Sequence, residues 1–288
     1  MPSLLRRLAA GVGGIVRRNH MSPPVIAGAR LSRWYLASYW NDNYWNLNRN
    51  GESLLLRNLA AEWGESRGVT VFDVGANTGS YAALVRRELP NSTIHCFEAV
   101  PRTRERLKAR VAALSGVVVS ECGLSDCDTR LEIGYSGEND KLARVVWLGD
   151  TFTEIFTCDV RTGDGYAAEH GIEAVDLLKV DTEGHEVAVL AGFQRSLDEG
   201  RIRAIQFEYG LTWIPQRRFL HEAYALLEPA GFRLGRLFPD GVFFKRYNHI
   251  EDDHFRMGNY VAIHESCSSL IERLNLNRNE RRSKLGRT

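Results

Sequence analysis

Short apolar runs alternate along most of the chain with longer stretches in which apolar residues recur every three or four positions. The strand-like runs are residues 69–74, 93–98, 117–121, 175–181 and 202–208. The helix-like stretches are residues 79–89, 102–113, 184–192 and 219–230. Strands that alternate with helices form parallel βαβ units with helices on both faces of one sheet. The pattern therefore predicts an α/β fold, a three-layer sandwich with a mostly parallel sheet.

Two regions depart from this alternation. Between Asp126 and Asp159, residues 131–135 and 143–148 have the pattern of two strands joined by the turn-forming sequence Ser-Gly-Glu-Asn. This pattern predicts an inserted hairpin beside the functional site. Near the C-terminus, three strand-like segments follow one another without a helix: residues 232–238, 242–245 and 260–264. They predict an antiparallel C-terminal edge to the sheet.

A chain of 288 residues with an ordinary balance of apolar and charged residues can bury one full core. We divide it into a basic leader with an aromatic arm (1–50), the α/β domain (51–265) and a basic polar tail (266–288). The arm holds three of the six tryptophans, which favours packing or a subunit contact over a platform for sugar faces. The tail is predicted to be a mostly solvated helix or a disordered end.

The formal net charge of +1 hides an uneven distribution of charge. Residues 1–50 contain seven arginines and one aspartate, and residues 270–288 contain six basic and two acidic side chains. The central domain is therefore acidic, which argues against a nucleic-acid partner and favours a small-molecule or glycan acceptor. The five cysteines are scattered without a C-x-x-C pair, so neither a disulfide framework nor a zinc site is indicated. We expect a cytoplasmic protein.

The leader combines apolar residues with two arginine pairs. The apolar stretch between Arg7 and Arg17 is too short to span a bilayer, and no small-residue cleavage site follows it. Two alternatives stay open for residues 1–20: a basic amphipathic helix in peripheral contact with the inner membrane surface, or an unstructured leader weakened by its glycines.

The first candidate site is the turn that follows the first strand. Its sequence, Asp73-Val-Gly75-Ala76-Asn77-Thr-Gly79, leads directly into a helix-like stretch, and the next strand-like run ends at Glu98. In open α/β sheets, ligands bind at the carboxyl ends of the strands, and an acid after the second strand binds ribose hydroxyls. The turn and Glu98 therefore predict a nucleoside-binding crevice.

The composition of this turn narrows the class of ligand. It lacks the three glycines of the dinucleotide fingerprint, and no lysine follows Gly79 as in a phosphate-binding loop. The acid in front of the turn argues against a diphosphate and favours a cationic or neutral nucleoside, of which S-adenosylmethionine is the clearest example. The alternative is that Asp73 and the glycines only form a tight βα turn.

A second group of polar residues follows the fourth strand-like run. Asp181, Glu183 and His185 should meet the cofactor's reactive end, and Glu208 after the fifth strand should lie close by. Methyl transfer to a hydroxyl needs a base for the alcohol proton, and our candidate bases are Asp181 and His185. Glu183 is equally well explained by its place in the first turn of a helix. A magnesium ion held by Asp181 and Glu208 stays open; no metal site is assigned.

Several segments together resemble the FkbM family of S-adenosylmethionine-dependent methyltransferases over about residues 65–245. They are the turn 71–79, Phe97-Glu98, Gly123-Leu-Ser125-Asp126, and the block 176–186 followed by Val189-Leu-Ala-Gly192. The resemblance implies a class I methyltransferase (Rossmann-like) fold for residues 51–265, with S-adenosylmethionine as methyl donor. It also implies that Ser125 and Asp126 lie beside the adenine. His185 departs from the family pattern, which usually has a small residue there.

The resemblance implies O-methylation in most cases. Our leading hypothesis is an O-methyltransferase that acts on a hydroxyl of a sugar, glycan or glycolipid precursor. One alternative acceptor is a polyketide, peptide or other small hydroxylated metabolite. A second alternative is a non-catalytic cofactor-binding scaffold. N-methylation of adenine in DNA is disfavoured, because no Asp/Asn-Pro-Pro-aromatic block follows the fourth strand.

Overall fold

The computed structural model describes residues 3–42, 45–63, 68–135, 143–147 and 151–277, with side chains from residue 10 onward. The chain divides into two compact units, residues 1–43 and residues 44–288. The first unit contains helices α1 (Ser3–Arg18) and α2 (Pro23–Tyr39). No described helix is long and apolar enough to cross a membrane.

The second unit contains the remaining helices and all the strands of the described chain. The helices are α3 (Glu52–Trp63), α4 (Ser80–Glu88), α5 (Pro101–Val111), α6 (Gly163–Glu169), α7 (Glu186–Ala191), α8 (Gln194–Asp198), α9 (Leu220–Leu227), α10 (His249–Asp252) and α11 (Ser268–Leu274). The strands are β1 (Val69–Val74), β2 (Ser92–Phe97), β3 (Val117–Ser120), β4 (Gly123–Ser125), β5 (Thr129–Tyr135), β6 (Arg144–Val145), β7 (Glu154–Thr162), β8 (Val175–Val180), β9 (Ile202–Tyr209), β10 (Phe232–Phe238), β11 (Gly241–Phe244) and β12 (Gly258–His264).

The central sheet of the described chain has eight strands in the order β11-β10-β12-β9-β8-β1-β2-β3. Strands β3, β2, β1, β8 and β9 are parallel, whereas β12, β10 and β11 continue the sheet with antiparallel pairings. The chain leaves β1 towards β2 and later returns to the other side of β1 with β8. Ligands of open α/β sheets bind at such a switch point.

Helices cover both faces of this sheet. Alternate side chains of each strand therefore enter two separate cores. Val71 of β1 joins a cluster with Leu55, Leu59 and Ile271, from helices α3 and α11. Phe72, the next residue, joins the opposite cluster, which contains apolar side chains of α7 and α9. The predicted three-layer α/β sandwich, with its antiparallel C-terminal edge, is confirmed.

The C-terminal segment differs from the solvated tail that we expected from residue 266 onward. Helix α11 buries Leu270, Ile271 and Leu274 in the core, because their spacing places them on one helical face. The charged part of the tail, residues 278–288, lies outside the described residues. Asn50 is also buried, so the packed part of the second unit begins before residue 51.

The expected insertion forms a second sheet with the strand order β4-β7-β5-β6. Strands β5 and β6 are antiparallel, as the hairpin pattern predicts, and β7 pairs along the whole of β5. The sequence Ser-Gly-Glu-Asn that we expected to join them lies outside the described residues.

Candidate active site

The turn after β1 is shaped by three residues with left-handed backbone angles. Gly75, Asn77 and Gly79 have φ values of +79°, +47° and +81°. The N–H groups of Gly75 and Ala76 both donate hydrogen bonds to the carbonyl oxygen of Phe97, at 2.9 and 3.0 Å. These two hydrogen bonds attach the turn to the end of β2. Glu98 is the next residue after that strand.

Position 75 requires glycine for two reasons: its backbone angle is left-handed, and a neighbouring residue lies too close for a side chain. A Cβ atom at this position would overlap the carbonyl oxygen of Asp181. The N–H of Asp181 donates to the carbonyl oxygen of Val74 at 2.9 Å. The turn after β1 and the acidic segment after β8 are therefore in direct backbone contact.

Glu98 lies at the end of β2 with its carboxylate almost fully buried. Its two oxygens accept hydrogen bonds from the N–H groups of Asn77, at 2.9 Å, and Val100, at 2.8 Å. Burial raises the pKa of Glu98, and these two hydrogen bonds oppose that rise. Each carboxylate oxygen keeps a lone pair, so Glu98 can still accept a hydrogen bond from a ribose hydroxyl.

Asp73 lies inside the protein instead of lining the crevice. It is fully buried, and its carboxylate is 3.5 Å from the ammonium group of Lys179, which also donates to Asp181 at 3.1 Å. Burial raises the pKa of Asp73, and burial alone would lower that of Lys179. Asp181, Asp73 and the other acidic groups around Lys179 together outweigh burial and raise its pKa, so the lysine is a cation that joins β1 to β8.

Three acidic side chains that we predicted as catalytic meet at the carboxyl ends of β8 and β9. Asp181, Glu183 and Glu208 each place a carboxylate oxygen within 4.8 Å of the other two. Glu183 is buried and has a left-handed φ of +55°, and its Oε2 has no hydrogen-bond partner among the described residues. We call these three side chains the carboxylate cluster.

Burial and the charges of neighbouring acidic groups raise the pKa values of two members of this cluster, Glu183 and Glu208. Burial, followed by the charges of Asp181 and Glu186, raises the pKa of Glu183 to about 8. Burial and the charge of Asp181 also raise the pKa of Glu208 well above its ordinary value. The charge of Arg144, on β6 of the second sheet, opposes the rise at Glu183. Near neutral pH the carboxylate cluster can therefore accept or release a proton.

Glu186 has a structural position beside this cluster. Its carboxylate accepts hydrogen bonds from the N–H groups of Thr182, at 2.7 Å, and Gly184, at 3.0 Å. Helix α7 begins at Glu186, so the side chain satisfies N–H groups that precede the helix. It holds the loop in which Glu183 adopts its left-handed conformation.

His185 does not join the carboxylate cluster. Its Nε2 is 2.9 Å from the hydroxyl of Ser125, which donates to Asp126 at 3.1 Å. Burial lowers the pKa of His185 to about 4, although Asp126 opposes the change. The imidazole is therefore neutral at neutral pH. Ser125 is buried and engaged by these partners, whereas Asp126, which we predicted beside the adenine, is exposed.

A buried polar network behind the site was not predicted from the sequence. Glu52, at the start of α3, accepts a hydrogen bond of 2.6 Å from Gln206 on β9. Gln206 in turn accepts one of 3.1 Å from the hydroxyl of Tyr81, whose ring lies 4.9 Å from the ammonium nitrogen of Lys179. These residues come from distant elements, and a buried Glu at the start of a helix resembles an ordinary N-terminal acid.

The acidic side chains and hydrogen-bond acceptors of this site suit a cationic nucleoside. The carboxylate cluster offers negative charge beside the turn, where a diphosphate would be repelled, and Glu98 offers an acceptor for ribose hydroxyls. S-adenosylmethionine carries a sulfonium and an ammonium group, so it fits these residues. Glu98 and the main chain of the turn after β1 are the groups that would hold it.

Comparison with known proteins gives related methyltransferases. The 2-O-methyltransferase NoeI of Sinorhizobium fredii is 27% identical over 188 residues, covering 60% of this chain and 75% of NoeI. The 31-O-demethyl-FK506 methyltransferase FkbM of Streptomyces tacrolimicus is 34% identical over 176 residues, covering 49% of this chain and 65% of that protein. Among solved structures, fibrillarin from Aeropyrum pernix with natively bound S-adenosylmethionine is 14% identical, with a TM-score of 0.40 and 76% coverage of both chains.

The sequence profile of the methyltransferase FkbM domain matches residues 73–234, which are more than half of the chain. These residues contain the turn after β1, Glu98 and the whole carboxylate cluster. The protein therefore belongs to the FkbM methyltransferase family and uses S-adenosylmethionine as its methyl donor.

Proposed function

We propose that this enzyme transfers a methyl group from S-adenosylmethionine to a hydroxyl group of a sugar, glycan or glycolipid precursor. The observation that carries the proposal is the carboxylate cluster, because a hydroxyl is a poor nucleophile until its proton is removed. Glu183 is suited to take that proton, because its pKa is raised to about 8 and one of its carboxylate oxygens has no hydrogen-bond partner among the described residues. The names of the relatives NoeI and FkbM state that these enzymes methylate an oxygen atom of their substrates, which supports the same chemistry.

The residues around Glu183 have different roles in the proposed reaction. Lys179 donates a hydrogen bond to Asp181 and holds it in place, and the charge of Asp181 increases the proton affinity of Glu183. The acceptor hydroxyl would donate its proton to the Glu183 carboxylate as its oxygen attacks. S-adenosylmethionine supplies an electrophilic methyl group on sulfur. Glu208 would receive a hydrogen bond from the acceptor and fix its orientation.

His185 has a different role in this proposal. Its hydrogen bond to Ser125 and its lowered pKa of about 4 make it a poor base for an alcohol proton. We assign it a positioning role, in which it connects β4 of the second sheet to the start of α7. The catalytic base is then Glu183, with the carboxyl groups of Asp181 and Glu208 as its neighbours.

A sugar acceptor is favoured by the chemistry of the cluster. Neighbouring hydroxyls of a sugar can donate hydrogen bonds to more than one carboxylate at once, and the cluster offers three. A polyketide, peptide or other small hydroxylated metabolite is the second candidate. The similarity to 31-O-demethyl-FK506 methyltransferase, 34% over 176 residues, favours it.

The experiment is to incubate the enzyme with S-adenosylmethionine labelled with ¹³C in its methyl group and with separate pools of acceptors. The pools are soluble oligosaccharides, extracted glycolipids and hydroxylated macrolides, and ¹³C–¹H spectra distinguish O-methyl from N-methyl and C-methyl products. We expect O-methyl signals from a carbohydrate pool, and their loss in Glu183→Gln.

Other outcomes decide between the alternatives. O-methyl signals from the macrolide pool alone would replace the sugar acceptor by the second candidate. N-methyl or C-methyl signals would contradict the proposed chemistry. Binding of S-adenosylmethionine without a product from any pool would favour a cofactor-binding scaffold.

A further inference from the structure

Helices α1 and α2 carry large apolar side chains that are exposed. On α1 these are Val12, Ile15 and Val16, and on α2 they include Leu31, Trp34, Tyr35 and Tyr39. Trp34 is 67% exposed and Tyr35 is 61% exposed, and α2 contains no buried residue. Exposed apolar side chains concentrated in one short region mark a surface that binds something else.

The spacing of these side chains places them together on α2. Leu31, Tyr35 and Tyr39 follow one another at intervals of four residues, and Trp34 lies beside Leu31 at an interval of three. The rings of Tyr35 and Tyr39 are stacked with their centres 6.4 Å apart. We call Leu31, Trp34, Tyr35 and Tyr39 the aromatic face.

The charge around the aromatic face is mainly positive. Residues 1–43 contain six arginines and one acidic residue, Asp42. Arg30 lies four positions before Trp34, and Arg33 immediately precedes it, so positive charge flanks the aromatic face. The partner that complements this segment must therefore be both negatively charged and able to receive apolar side chains.

We propose that α1 and α2 bind the surface of an anionic lipid bilayer. The indole of Trp34 and the rings of Tyr35 and Tyr39 suit the boundary between headgroups and acyl chains, because each combines an apolar body with a polar atom. The arginines meet the headgroup phosphates. This places the contact on α2 as well as on the leader, beyond the residues 1–20 that the sequence suggested.

Two other partners satisfy only half of these features. A nucleic acid would neutralise the arginines but leave Leu31 and Tyr39 without an apolar environment. A second copy of α1 and α2 could cover the aromatic face, but it would bring an equal positive charge against Arg30 and Arg33. An anionic bilayer satisfies the charge and the apolar side chains together.

The test is co-sedimentation of the full chain with two kinds of vesicle, phosphatidylcholine alone and phosphatidylcholine mixed with phosphatidylglycerol. We expect binding to the mixed vesicles only, and weaker binding as salt is raised, because salt screens the arginines. The variant Leu31→Ser/Trp34→Ser/Tyr35→Ser should partition at least tenfold more weakly. Arg30→Gln/Arg33→Gln should also weaken binding. The matched control is Ile250→Ser, which changes an exposed isoleucine elsewhere and should bind as the wild type does.

Calorimetric titration of S-adenosylmethionine into each variant shows that the second unit is still folded. Equal sedimentation of the triple variant and the wild type would overturn the proposal, as would equal binding to both kinds of vesicle. Light scattering is run in parallel on the chain without vesicles. A wild-type dimer that the triple variant converts to a monomer, with no vesicle binding by either, would identify a subunit interface and overturn the lipid assignment.

Discussion

The backbone of Gly75 packs directly against the backbone of Asp181. A side chain at position 75 would overlap the Asp181 carbonyl oxygen, and the Asp181 N–H bonds to Val74 on the same turn. Main-chain contacts therefore fix the position of the turn after β1 relative to the carboxylate cluster. A shift of either loop would move the other.

The first prediction compares two glycines with left-handed backbone angles. Gly171→Ala should lower the free energy of unfolding by about 1 kcal/mol, since its φ of +64° is unfavourable for alanine but no atom lies within 4 Å of the new Cβ. Gly75→Ala has the same backbone strain and also overlaps Asp181, so it should lose about 3 kcal/mol or more and most of its cofactor affinity. Denaturant unfolding measures both variants. Equal losses would show that the contact with Asp181 is unimportant.

The second prediction concerns the ion pairs of Lys179, of which the pair with Asp73 is buried and the pair with Asp181 is partly exposed. Lys179→Met leaves Asp73 and Asp181 without their common cation, and loss of one partner of a buried ion pair costs about 3–5 kcal/mol. Adding Asp73→Asn should recover part of this loss, because the uncompensated buried charge is removed. A double-mutant cycle by denaturant unfolding measures the coupling. Strictly additive losses from the two substitutions would rule out an energetic link between Lys179 and Asp73.

The third prediction is a pH dependence of methyl transfer. The carboxyl of Glu183, with its pKa of about 8, is mostly protonated at pH 7, and only the ionised form can accept the acceptor's proton. The single-turnover rate on the identified acceptor should therefore rise with pH and level off above about pH 8. Glu183→Gln should be slow at every pH.

The matched control for this profile is Glu105→Gln, which changes an exposed glutamate on α5. It should reproduce both the rate and the pH profile of the wild type. A wild-type rate that does not change between pH 6 and pH 9 would remove Glu183 from its assigned role. A profile that instead turns over near pH 4 would point to His185, whose pKa is lowered to about that value.

Much of the fold could be predicted because its strands are continuous apolar runs. Residues 69–74 and 175–180 are buried on both faces, and four of the six side chains in each strand are apolar, so the signal is strong. Strand β7 escaped prediction because only Cys158 and Val160 of its nine residues are buried. The packing of α11 depends on Leu270, Ile271 and Leu274, which a charged neighbourhood obscures.

The site could be predicted where it depends on strand ends. Asp181 follows β8 and Glu208 lies near the end of the adjacent parallel strand β9, so the topology brings their side chains to one edge. The direction of His185 could not be predicted, because it depends on how α7 packs beside Ser125. The link from Glu52 to Gln206 joins residues 154 positions apart, and no local pattern records such a pair.

The central claim is that the turn after β1 and Glu98 bind the cofactor, whereas the carboxylate cluster acts on the acceptor. Glu98→Ala should weaken binding of S-adenosylmethionine at least tenfold, which corresponds to about 1.4 kcal/mol, because a ribose acceptor is lost. Asp181→Asn keeps the shape of the site and should bind the cofactor nearly as the wild type does, although its turnover is suppressed. Glu121→Ala changes an exposed glutamate and is the control for the loss of a carboxylate.

Calorimetric titration of S-adenosylmethionine into these variants and the wild type is the most direct test, since it requires no knowledge of the acceptor. We predict affinity that is lost in Glu98→Ala and retained in Asp181→Asn and Glu121→Ala. Wild-type affinity in Glu98→Ala would contradict the account.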